Sequence, residues 1–116
     1  MRPMTYRPQS KYRNRKTTVD GFTFDSRKEA NRYLELKFLE ATGEITDLEL
    51  QVPFTLQPAF RDCNGEWQRD IKYIADFVYK DKDGKQVIED VKGKRTAVYM
   101  IKKKMMLYKG LKITEV

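Results

Sequence analysis

Two strand-like runs, "YIADFVY" at 73–79 and "VIEDVKG" at 87–93, are joined by "KDKDGK" at 80–85. Apolar runs bounded by an Asp-Gly turn read as an antiparallel hairpin. Both runs carry ionisable groups inside the apolar pattern: Asp76 in the first, and Glu89, Asp90 and Lys92 in the second. Charges are costly to take out of water unless something pairs with them. This hairpin is therefore expected to hold a charged cluster, and its loop decides which members meet. A two-residue Asp83-Gly84 loop pairs Asp76 with Val91, on the face of Glu89. A three-residue loop, Lys82 to Gly84 with Gly84 left-handed, pairs Tyr79 with Val87 and Asp76 with Asp90. Periodicity does not choose between them. The second is favoured because it gathers Asp76, Asp90 and Lys92 on one face. Glu89 then faces solvent or another layer and is the alternative acid if the loop has two residues.

Around the hairpin the pattern changes period. Residues 1–18 are polar, basic and broken by Pro3 and Pro8, and read as a flexible arm ahead of one domain over 19–116. "VDGFTFDS" gives a short strand or turn. Ser26 with Glu29 forms a capping box that opens a helix, and Gly43 closes it. "ITDLELQVPFTLQP" alternates cleanly, as one strand or as two separated near Pro53, which suggests an edge or a bend. A strand over 67–79 should turn Ile71, Tyr73, Ala75, Phe77 and Tyr79 one way, and Ile74, Asp76 and Val78 the other. Trp67 reads as strand-end packing, with stacking on an unpaired base as the alternative. A helix over 96–108 has Val98, Ile101, Met105 and Tyr108 as its apolar stripe, and "LKITEV" is a last strand. The order is roughly αβββαβ, a mixed α/β (α+β) fold with a mixed sheet flanked by helices.

Composition excludes several chemistries. There is no histidine, so His triads and His-ligated zinc are ruled out, and the one cysteine, Cys63, cannot close an internal disulfide. No run is apolar for long enough to span a bilayer, and a reducing, cytoplasmic setting is expected. The net charge of +7 is unevenly placed. Residues 1–18 carry six bases and no acid, and residues 92–114 carry eight bases and no acid, whereas 19–91 is net acidic. Two basic blocks suit a polyanion such as DNA. Arg13, Arg15 and Lys16 in the arm, Lys94 and Arg95 in the loop, and Lys102 and Lys103 with Tyr99 on the helix would touch phosphates. A solvated helix face accounts for the last group equally well.

Two adjacent carboxylates repel unless a cation intervenes. Oxygen donors without histidine or thiolate select a hard divalent ion, Mg²⁺ or Mn²⁺. With Lys92 beside them to orient water and offset phosphate charge, the implied chemistry is phosphodiester hydrolysis. Asp76 followed by Asp90-Val91-Lys92, on adjacent strands after a helix carrying Glu29, resembles the PD-(D/E)XK nuclease superfamily and its restriction-endonuclease-like core. "DGFTFDSRKEA", "YIADFVY" and "EDVKG" followed by "VYMIKKK" resemble more closely a family of small phage and prophage proteins of uncharacterised function, some regarded as Holliday-junction resolvases. The likeness covers about residues 17–116, although Ala75 stands where the superfamily has proline. It implies Asp76, Asp90 and the Val91 carbonyl as metal ligands, Lys92 as the catalytic lysine, and Glu29 as a helix acid near the metal. Glu29 as helix cap alone remains open. The expected function is a phage-type Mg²⁺-dependent DNA endonuclease acting on branched DNA in the host cytoplasm, with a homodimer for symmetrical cutting. The alternatives are a nickase or exonuclease within a larger complex, an RNA-directed nuclease, and a DNA-binding module that keeps the fold without the chemistry.

Overall fold

A computed structural model describes residues 16–116. The described chain divides into two compact units, one up to Glu35 and one from Leu36 to Val116. In the first unit, β1 (Thr17–Val19) and β2 (Phe22–Phe24) pair antiparallel around Asp20-Gly21. Both turn residues have positive φ, 53° and 83°, the conformation of a two-residue hairpin turn. Tyr33 packs its ring 5.1 Å from Phe24 and 5.7 Å from Phe22, and its hydroxyl donates to Asp20 at 2.9 Å. Helix α1 (Arg27–Ala41) starts as its capping sequence requires. The Ser26 hydroxyl accepts the Glu29 N–H at 3.1 Å.

The last turns of α1 belong to the second unit. They end at Gly43, whose φ of 83° closes the helix while Glu44 N–H reaches back to the Leu39 carbonyl at 2.9 Å. A four-stranded sheet follows, in the order β3 (Thr46–Gln57), β6 (Ile71–Lys80), β7 (Gln86–Asp90), β8 (Ile113–Glu115). The first three strands are antiparallel, and β8 runs parallel to β7. A parallel return needs a crossover, which α2 (Ala97–Tyr108) supplies between β7 and β8. The element order is thus αβββαβ in an α+β fold with a mixed sheet, as the sequence led us to expect. β3 is one continuous edge strand, so Pro53 deprives the sheet of no needed donor. The run over 67–79 is not one strand. Its first residues form β5 (Trp67–Gln68), which pairs with β4 (Phe60–Arg61) in a separate small hairpin.

The β6–β7 loop has three residues. Asp81 N–H donates to the Lys85 carbonyl, Gly84 N–H donates to the Asp81 carbonyl, and Gly84 has φ 81°. The Asp81 carboxylate also accepts the N–H groups of Asp83 and Lys85, both at 2.9 Å. A Cβ at Gly84 would meet nothing within 4 Å. Gly84→Ala should therefore cost only the left-handed backbone penalty, about 1–2 kcal/mol, measurable by urea denaturation.

The facing pattern expected for β6 needs correction. Ala75 and Val78 lie in one core cluster with Tyr73, Ile88, Tyr99 and Met106. Residues three apart sit on opposite faces of a regular strand. Gln51, at φ 54°, lies between the pairs Leu50↔Phe77 and Val52↔Ala75, opposite Asp76. There both strands turn over together. Val52, Phe54, Tyr73 and Ala75 join the core under α2, while fully buried Phe77 falls outside that cluster. The stripe expected on α2 is also displaced. Tyr99 and Met106 are buried and Met105 packs against the core, but Val98, Ile101 and Tyr108 are exposed, Tyr108 at 94%. Apolar residues nearly encircle this helix, so hydrophobicity alone could not pick the inner face. Among the described residues, no helix is long and apolar enough to cross a membrane.

Candidate functional site

The three-residue loop sets the register Tyr79↔Val87, Val78↔Ile88 and Phe77↔Glu89. The ladder ends at Phe77↔Glu89, and the next residue on each strand is Asp76 on β6 and Asp90, the last residue of β7. Here a side chain takes over from the backbone. The Val91 N–H donates to Asp76 Oδ2 at 2.8 Å, tying that carboxylate to the residue that follows Asp90. Asp90 is buried, its Oδ2 accepts the Tyr73 hydroxyl at 2.8 Å, and Lys92 Nζ lies 3.4 Å from its Oδ1. Lys92 lies just past the strand end, where its N–H donates to the Val116 carbonyl at 3.1 Å. Its ammonium also sits 3.9 Å from the centre of the Tyr99 ring, an electrostatic seat for a cation.

Sequence reading gave no role here to Tyr73 or Glu115. Tyr73 reaches Asp90 only because β6 turns over at Asp76, and no periodic pattern signals that. Glu115, on β8, pairs in register with Asp90 and gathers the basic region around itself. Arg95 donates to its Oε1 at 2.5 and 3.0 Å, while Tyr99 and Lys103 donate to its Oε2 at 2.6 and 2.9 Å. Tyr99 thus links Glu115 to the seat of Lys92. Burial, then the hydrogen bond to Asp90, pushes the Tyr73 phenol pKa up. Burial, then the bond to Glu115, does the same for Tyr99. Both phenols therefore stay protonated and act as donors.

The hydrogen bonds from Arg95, Tyr99 and Lys103 hold the Glu115 carboxyl well below its ordinary value of 4.5. A depressed carboxylate pKa contributes stability that is complete above the unfolded value and is lost as pH falls toward the folded one. Wild type should therefore lose stability as pH drops below about 4.5. Glu115→Gln should be less stable at neutral pH and show a flatter acid limb in thermal melts across that range.

Glu29 is buried in the first unit, with its N–H on the Ser26 hydroxyl. Lys16 pairs with Asp25 at 3.6 Å, while Arg13 and Arg15 lie outside the described residues. Lys94 and Lys102 lie with Arg95 and Lys103 in the basic stretch that leads into and along α2. Glu89 does not face solvent. It is 1% exposed and accepts a hydrogen bond from the Tyr79 hydroxyl on the face opposite Asp90.

Asp76, Asp90 and the Val91 carbonyl are an oxygen-only donor set, which suits Mg²⁺ or Mn²⁺. No group of three or more His, Cys, Asp or Glu is placed to hold a metal ion among the described residues. A Mg²⁺ ion held by one or two carboxylates takes its remaining oxygens from water and phosphate, and the two carboxylates here are of that donor type.

The fold and site define an α+β protein with two acids and a lysine at the open end of a β-hairpin. The chain belongs to the family described as "Protein of unknown function (DUF1064)", which matches residues 9–116. No curated protein and no solved structure matches it.

Proposed function

We propose that this chain is a PD-(D/E)XK-type, phage-encoded DNA endonuclease that uses Mg²⁺ or Mn²⁺ to hydrolyse phosphodiesters at branched sites. The observation that carries the reading is the three-residue hairpin loop, whose register brings Asp76 and Asp90 to the end of the β6–β7 ladder, with the Val91 N–H on Asp76 at 2.8 Å and Lys92 3.4 Å from Asp90. A divalent ion held there would supply Lewis-acid activation of water and charge neutralisation at the scissile phosphate. Tyr73 fixes one oxygen of Asp90, and the Val91 N–H fixes one of Asp76, so the carboxylates are aimed before substrate arrives. Lys92, seated on Tyr99, would orient the attacking water and offset phosphate charge. A small domain with little material for base readout favours recognition by shape and phosphates, as a junction offers. Cutting two strands symmetrically calls for a homodimer.

A second reading is a DNA-binding module without chemistry, in which the Asp90–Lys92–Tyr73 network is purely structural. Its appeal is that these groups already satisfy one another. Buried ion pairs are poor stabilising devices, however, which weighs against it. The two are separated by incubating wild type and Asp90→Ala with Mg²⁺ on four-way junction, flap, single-stranded and linear duplex DNA, and on RNA. Metal-dependent cleavage by wild type alone supports the nuclease. Tight binding with no cleavage of any substrate supports the module. Equal rates on duplex and junction would remove only the branched preference.

A further inference from the structure

The β4–β5 hairpin stands apart from the four-stranded sheet and carries Trp67, the chain's sole tryptophan, at 62% exposure. Its register pairs Arg61 with Trp67 and Phe60 with Gln68. Trp67 and Arg61 therefore share one face, and Phe60, 42% exposed, takes the other. The Arg61 guanidinium lies 5.2 Å from the Trp67 ring centroid and donates to the Gly65 carbonyl at 2.9 Å. The turn beneath is well organised. Asp62 Oδ1 accepts the N–H groups of Asn64 and Glu66, and Oδ2 accepts the Gln68 amide, each at 2.9 Å. Its negative charge is thus spent on the hairpin itself. What remains outward is an exposed aromatic plane with a cation over it, on a short two-stranded hairpin.

We infer that this hairpin is a stacking platform for an unpaired DNA base, with Trp67 as the plane and Arg61 as the adjoining cation. The inference rests on the DNA reading proposed above and names the residue that would detect a branch point. Every base has a π-face, so aromatic stacking is sequence-tolerant, and a guanidinium adds cation–π and phosphate attraction. Duplex DNA keeps its bases stacked inside and offers no such face. An aromatic hairpin would therefore favour single strands and junction centres over linear duplex.

Because Trp67 is the only tryptophan, its fluorescence reports this site alone. Wild type is titrated in EDTA, where cleavage is absent, with a single-stranded oligonucleotide, a four-way junction and a linear duplex. Affinity is read separately by anisotropy of labelled DNA. Quenching of Trp67 is expected with single strand and junction, and little with duplex. Trp67→Ala should weaken single-strand binding by about 5- to 150-fold, with duplex affinity unchanged. Trp67→Phe should restore most of the loss, because it keeps an aromatic plane. Unchanged fluorescence on DNA that binds, equal affinity for Trp67→Ala, or no DNA binding at all would each overturn the platform. Quenching without any cleavage activity would uphold it while removing the nuclease reading. Cleavage without quenching would do the reverse.

Discussion

Lys92→Met should lower metal-dependent cleavage of junction DNA by on the order of 10²- to 10³-fold, while DNA affinity changes by only a few-fold. Methionine keeps most of the stem and removes the ammonium that sits between Asp90 and the Tyr99 ring. The loss should appear in the single-turnover rate at saturating DNA, not in the concentration needed to saturate. Lys92→Arg keeps the charge but not the compact shape, and should fall between the two. A melting curve establishes that each variant is folded at the assay temperature. A rate equal to wild type for Lys92→Met would take Lys92 out of the chemistry and leave it as a structural partner of Asp90.

Phe77→Ala should cost about 3–5 kcal/mol, the range for truncating a buried aromatic. Phe77 is fully buried on β6, with β3 and β7 on either side. It stands opposite Leu50 on one neighbour and Glu89 on the other, where packing cannot easily close over a cavity. Whole domains are commonly stable by only about 5–15 kcal/mol, so this substitution removes a large share. Val98→Ala serves as contrast. Val98 belongs to the stripe that the sequence pointed inward, yet it is 61% exposed. Its truncation should stay within about 0.5 kcal/mol. Urea denaturation midpoints for the two variants would test the inner face of the sheet and the rotation of α2 together. Equal losses would contradict both assignments.

Much of this architecture was legible because it depends on local chemistry. Ser26 with Glu29 marked the start of α1, Gly43 marked its end, and the Asp83-Gly84 turn marked the central hairpin. The choice between a two- and a three-residue loop was not legible. It was favoured for gathering the charges, and Gly84 at positive φ with Asp81 hydrogen-bonded to Lys85 agrees with it. The face change at Gln51 and Asp76 escaped the pattern because Leu48 to Leu56 keep one parity throughout, whichever side they pack on. That reversal also hid Tyr73, which parity placed away from Asp90. Glu115 was hidden differently. A lone acid behind a basic stretch looks like a small correction to net charge until β8 returns beside β7 and sets it opposite Asp90.

On the proposed function, Asp76 and Asp90 together hold a divalent ion for phosphodiester hydrolysis. The most direct measurement is the single-turnover cleavage rate of a four-way junction with Mg²⁺, compared among wild type, wild type in EDTA, and Asp76→Asn. Asparagine keeps the shape and the bond from the Val91 N–H but removes the charge. Measurable cleavage by wild type, lost with chelation and with Asp76→Asn while junction binding persists, is the predicted result. Intact junction after prolonged incubation of wild type with Mg²⁺ and with Mn²⁺, or Asp76→Asn cutting as fast as wild type, would contradict it.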